Sequence, residues 1–147
     1  MKAIAAGLFG FPQIEEAQEY AFKVNKPILI DFTGHACANC RKMEESVWDK
    51  TGVNNLMANQ YVIASLYVDD AAPLPKEKQY TSTYDKSLIS TVGAKNMDFE
   101  ITKFNNNAQP YYVVIDASGK VLAGPIAYSK EADFQKFLEE GVKNFKP

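Results

Sequence analysis

The chain has 147 residues, with sixteen Lys and Arg against eighteen Asp and Glu for a net charge of −2. One domain is expected, and nucleic-acid binding by phosphate neutralisation has no basic excess to run on. Hydrophobic residues make up 46% and charged residues 23%, ordinary globular usage that excludes a disordered, collagen-like or coiled-coil chain.

The apolar run Ala3 to Phe11, with Lys2 ahead of it, is about half the roughly 20 residues of a membrane span. It weakly imitates a signal peptide but lacks a small-residue cleavage site. The chain is therefore expected to start just inside a domain boundary, which leaves open a longer natural protein. Pro12 suits the first position of a helix, with Glu15 and Glu16 in the first turn. Ile14, Ala17, Ala21 and Val24 then form one apolar stripe, and Asn25-Lys26-Pro27 ends it. Ile28 to Phe32 is a short apolar run broken by Asp31, the pattern of a strand buried on both faces.

After the turn at Thr33-Gly34 a helix is expected from Cys37 to about Trp48. A short helical piece over Val53 to Asn59 then leads to a strand from Tyr61 to Val68. This order argues for a layered α/β fold. Residues 69–108 show no clear strand, too long a stretch for a plain loop in a compact domain. They are read as an insertion lying over a surface, with one or two helical turns at Asp98 to Phe104. Tyr111 to Asp116 and Lys120 to Ala123 around Ala117-Ser118-Gly119 read as an antiparallel hairpin. Ser129 is placed to cap a last helix whose Phe134, Phe137, Leu138, Val142 and Phe145 make its buried stripe.

The strongest chemical signal is Cys37-Ala38-Asn39-Cys40, where the buried strand meets a helix. Residues three apart on a helix share a face, and their Cα separation suits a disulfide. The helix N-terminus stabilises a thiolate on Cys37, while Cys40, one turn inside, is shielded and positioned to resolve a mixed disulfide. Two duller readings stand beside redox chemistry. One is a structural disulfide, worth about 2 kcal/mol for so short a loop. The other is a metal site from His35, Cys37 and Cys40, for which a closed zinc centre lacks a fourth His or Cys. His35 otherwise serves as a polar neighbour of the motif.

Asp31 interrupts an apolar strand, and charged residues are seldom fully buried without a partner or a task. Either it reaches solvent at the strand end or it lies beneath the dithiol as a desolvated carboxyl that accepts a proton from Cys40. Glu44 lies one turn after Cys40 on the same helical face, as a second acid of the site or as a solvated one. Arg41 and Glu45, four apart, are expected to pair on the outer face. Trp48 and the tyrosines at 61, 67, 80, 84, 111, 112 and 128 read as core and interface residues.

With Cys-x-x-Cys, Asp31 and Gln109-Pro110 in place, the chain resembles thioredoxin-fold domains. It is most similar to the C-terminal domain of the membrane thiol:disulfide interchange protein DsbD. The stretch from Lys26-Pro27 through Asp31-Phe32-Thr33-Gly34 to Asn39-Cys40-Arg41-Lys42-Met43-Glu44 carries this resemblance. Tyr67-Val68-Asp69-Asp70 and Asn107-Ala108-Gln109-Pro110-Tyr111-Tyr112 add to it, in the manner of Bacteroidetes-type versions. The resemblance implies a single thioredoxin-fold domain over 1–147. Helices would flank a central mixed sheet, with an N-terminal helical extension and an insertion before the Pro110 strand.

It also implies a periplasmic domain tethered to a membrane electron-transfer domain. In that family the Cys pair takes electrons from the membrane domain and passes them to periplasmic disulfide partners, with no cofactor beyond the disulfide itself. The isolated domain is expected to be a monomer. By resemblance Cys37 is the exposed nucleophile, Cys40 the resolving cysteine, and Asp31 and Glu44 the paired acids. Gln109-Pro110 is the cis-proline site. A cis bond there would turn the backbone of residue 109 outward as a short edge for a partner's extended chain. His35, Ala36 and the insertion would then set specificity. Many thioredoxin relatives carry Trp immediately before the first Cys, where this chain has Ala36.

Overall fold

The structure is a computed structural model that describes residues 1–147. The N-terminal run forms a small hairpin, β1 (Lys2–Ala3) antiparallel to β2 (Phe9–Gly10). It buries Leu8 and Phe11 against the rest of the chain. Helix α1 (Ile14–Val24) starts two residues later than Pro12 suggests. Gln13 is its N-cap and Pro12 lies in the bend that precedes the helix. It buries Ile14, Ala17 and Ala21 and ends at Asn25, whose φ of 56° takes the left-handed conformation that asparagine tolerates. Strand β3 (Ile28–Thr33) is buried at every position. Helices α2 (Ala38–Ser46) and α3 (Thr51–Gln60) follow, then strand β4 (Val62–Tyr67).

Residues 69–108 hold more regular structure than the helical turns expected at Asp98 to Phe104, which fall inside a longer helix. A two-residue hairpin, β5 (Tyr80–Thr81) with β6 (Leu88–Ile89), occupies part of the stretch. Val92–Phe104 is a full helix, α4, capped by Thr91, whose Oγ1 accepts a hydrogen bond from Ala94 N at 3.1 Å. Its inward face carries Asn96 and Glu100, buried polar residues that break the apolar period and hide the helix.

Strand β7 (Tyr111–Ile115) and strand β8 (Val121–Ile126) form the expected hairpin. Asp116 Oδ1 closes its turn by accepting from Ser118 N, Ser118 Oγ and Lys120 N. Strand β8 runs past Ala123 because Gly124-Pro125, with a cis peptide bond, lies on the sheet's edge strand, where a missing N–H is tolerated. Helix α5 (Glu131–Asn144) buries Phe134, Phe137 and Leu138 as expected. Ser129 does not cap it: its Oγ donates to Ala127 O at 2.7 Å, and Lys130 is the N-cap.

The four long strands form one mixed sheet in the order β4-β3-β7-β8, with β3 parallel to β4 and antiparallel to β7. Alternation along the strands sorts the core into two layers. Ile28, Ile30 and Phe32 pack with Ile14, Ala17 and Ala21 of α1 and with Phe99 and Phe104 of α4. Leu29, Ile63, Tyr112 and Val114 pack on the opposite face with Met43, Trp48, Met57, Phe134 and Leu138 from the α2, α3 and α5 side. By the same alternation, Asp31 and Thr33 point toward the α2 side.

Candidate active site

The site lies where β3 ends and α2 begins. Cys37 is the N-cap of α2, and Cys37 and Cys40 are joined in a disulfide with their Cα atoms 5.2 Å apart. The two sulfurs differ in access. Cys37 is half-buried, whereas Cys40 is 1% exposed. Cys40 N also donates to Cys37 Sγ at 3.1 Å, so the helix start directs an N–H at the outer sulfur. His35 and Ala36 form an exposed rim ahead of the pair.

Asp31 does not reach solvent. It is 1% exposed, paired in register with Ser65 on β4 and Tyr112 on β7. Ser65 Oγ donates to its Oδ2 at 3.1 Å. Burial pushes its carboxyl up to about 7, with the Glu44 charge adding to the rise; Ser65 and Arg41 oppose it. Glu44, with a side chain 12% exposed, is not a free surface acid either. Burial raises its carboxyl while the Arg41 guanidinium pulls it back.

Arg41 is the residue that the sequence reading misplaces. It pairs with Glu44 across one turn rather than with Glu45, its Nη2 donating to Glu44 Oε2 at 2.8 Å. The same nitrogen reaches Thr33 Oγ1 at 3.1 Å, and Nη1 reaches His35 O at 3.4 Å. Inward-facing Thr33 and the carbonyl of the loop draw the guanidinium in, and Glu44 follows. Tyr67 completes this wall: its ring stacks on His35 at 4.2 Å and lies under Arg41 at 6.0 Å. Asp69 holds the rim, both its oxygens accepting from His35 N at 2.9 and 3.1 Å. The motif Tyr67-Val68-Asp69-Asp70 is the signal that could have found these two residues.

Gln109-Pro110 is cis. Tyr111 pairs with Phe32, so Pro110 lies one step further along, at the same end of the sheet as the start of the cysteine loop. The metal reading gains no support from the placement. His35 stacks on Tyr67, and no three His, Cys, Asp or Glu side chains gather as a group that could hold an ion.

A profile described as a thioredoxin-like domain matches residues 14–141. No curated protein sequence matches the chain significantly. Among solved structures, an oxidoreductase named DsbH superposes with a TM-score of 0.67 at 20% identity, over 97% of this chain and 90% of that one. A thioredoxin from Thermus thermophilus gives 0.63 at 20% identity, over 90% and 85% of the two chains. The reduced C-terminal domain of Neisseria meningitidis DsbD gives 0.61 at 15% identity, over 89% and 98%. The mixed sheet flanked by helices is thus the thioredoxin-like fold that the sequence led us to expect, and the chain belongs to the thioredoxin-like domain family.

Proposed function

We propose that the protein is a thiol-disulfide oxidoreductase that reduces disulfides in partner proteins. The observation that carries this reading is the asymmetry of the cysteine pair: an outer sulfur at a helix start and a fully buried partner one turn inside. The Cys37 thiolate attacks a partner disulfide, forming a mixed disulfide and releasing one partner thiolate. Cys40 then loses its proton to Asp31 and attacks Cys37 Sγ. The Cys37–Cys40 disulfide closes, the second partner thiol leaves, and two electrons have passed to the partner. A carboxyl whose pKa stands at about 7 can hold that proton near neutral pH.

Asp31 and Glu44 have a second role in this reading. Negative charge and burial beside the dithiol disfavour a Cys37 thiolate, which counters the helix terminus. The pair is then reducing, because a thiolate left unstabilised does not favour the reduced state. A partner's extended chain lies along the backbone at Gln109, with His35 and Ala36 at the rim.

The motifs shared with DsbD C-terminal domains support a narrower version. Here the domain works in the periplasm, tethered to a membrane electron-transfer domain that reduces it. No helix of this chain is long and apolar enough to cross a membrane, so the membrane step belongs to another part of such a protein. The test is capture of a disulfide-bonded protein substrate. Cys40→Ala should accumulate a mixed disulfide and Cys37→Ala should form none. Trapping by Cys37→Ala instead, or faster alkylation of Cys40 than of Cys37, would overturn the assignment.

A further inference from the structure

Glu100 is a buried acid that the chemistry above does not use. It lies on the inward face of α4, fully buried, with one carboxylate oxygen bound and the other orphaned. The bound oxygen, Oε1, accepts from Gln109 Nε2 at 3.0 Å. That nitrogen also donates to Asn107 O at 3.0 Å. Two acceptors facing one end of the amide fix its orientation, since the reversed amide would set oxygen against oxygen. Both amide hydrogens of Gln109 are therefore spent inside the protein, and only its carbonyl oxygen is left to meet a docked chain.

We propose that Glu100 is a positioning residue for partner binding, which through Gln109 fixes the strand edge that receives the partner's peptide. This rests on the oxidoreductase reading, because it assigns the Gln109 edge to a partner chain. The arrangement is costly for a merely structural contact. A buried carboxyl with an unpartnered oxygen destabilises the fold, and an apolar side chain would fill the same place in α4 without that cost. The orphaned Oε2 is the oxygen open to a proton when the carboxyl is neutral. Burial pushes the Glu100 carboxyl up to about 7, with the Gln109 hydrogen bond opposing the rise. Tyr111 on β7 is the titratable group that feels its charge. Glu100 belongs to α4, whose Phe99 and Phe104 pack on the sheet face opposite the α2 side, so it acts on docking and not on the dithiol.

The test separates an extended substrate from a small one. Glu100→Leu, Glu100→Gln and wild type are assayed on a disulfide-bridged peptide and on oxidised glutathione, with dithiothreitol as the recycling reductant. Glu100→Leu should raise KM for the peptide about tenfold, the cost of losing one hydrogen bond. Its kcat and its rate on glutathione should stay at wild-type values. Glu100→Gln keeps an acceptor for Gln109 and should restore the peptide KM. An unchanged peptide KM in Glu100→Leu, or an equal loss on both substrates, overturns the inference while the oxidoreductase reading stands. A wild type inactive on both substrates overturns that reading and the inference with it. Should Glu100→Leu not fold, NMR of the wild type decides. A disulfide-free analogue of the peptide must shift the Gln109 side-chain amide signals, and unmoved signals contradict the proposal.

Discussion

Asp31 occupies a position where an aliphatic side chain would pack, and its carboxyl sets a sign for the pH dependence of stability. Its folded pKa, about 7, lies above the ordinary value of 3.8. Between these values the folded state binds more protons than the unfolded state. Stability therefore falls as pH rises from about 4 to 7 and levels off above that. The full shift corresponds to about 4 kcal/mol as an upper bound. Asp31→Asn keeps a polar partner for Ser65 and removes the buried charge. In urea unfolding of the oxidised protein, this variant should be more stable than wild type by about 2 kcal/mol at pH 8. The difference should shrink toward zero at pH 4. Glu100 shifts in the same direction, so some slope remains in the variant.

Arg41 is the opposite case, a charge whose removal strands others. Arg41→Met leaves Glu44, Thr33 Oγ1 and the His35 carbonyl without their shared donor. The expected loss is about 1–2 kcal/mol at pH 7, measured by the same unfolding. A Glu44 side-chain NMR titration should move upward with it, because the cation that opposes its burial is gone.

At the scale of elements, legibility followed the side chains that face the core. The apolar stripes of α1 and α5 and the run Ile28 to Phe32 have one physical explanation each, burial against the sheet, and they appear where their periodicity places them. Helix α4 is legible only as the turns at Asp98 to Phe104, because Asn96 and Glu100 at its inward positions break the apolar period. Asn96 Nδ2 donates to Tyr67 O at 3.0 Å and Glu100 holds Gln109, so local pattern lost to tertiary hydrogen bonding. The cysteine pair and Asp31 could be read from one segment of chain. Arg41's role could not, since the same helix offered it two acids and only Thr33 and the loop decide between them.

The start of α4 also carries a constraint. A Cβ on Gly93 would stand 2.6 Å from Asp70 N and 2.7 Å from the Asp70 and Val68 carbonyl oxygens, all backbone atoms that cannot swing aside. Gly93→Ala should therefore cost about 1–3 kcal/mol. It should also displace the segment that carries Asp69, detectable as a changed amide shift at His35, whose N–H Asp69 holds.

In the molecule as a whole, one sheet brings together groups distant in sequence: Asp31 from β3, Ser65 and Tyr67 from β4, Gln109 ahead of β7, and the cysteines at the start of α2. On the proposed reading the acids make the pair reducing. Asp31→Asn with Glu44→Gln should lower the Cys37 pKa, read as thiolate absorbance, and move the couple toward oxidising potentials. Each 30 mV of that movement is about 1.4 kcal/mol. All of this presupposes that Cys37–Cys40 is a reversible two-electron couple in the folded protein. Equilibration with graded ratios of reduced to oxidised dithiothreitol, followed by thiol trapping and mass measurement, tests that directly. One transition is expected, the same from either direction, in which both thiols appear together without loss of fold. A disulfide that opens only when the protein is denatured would contradict it and leave the pair a structural link.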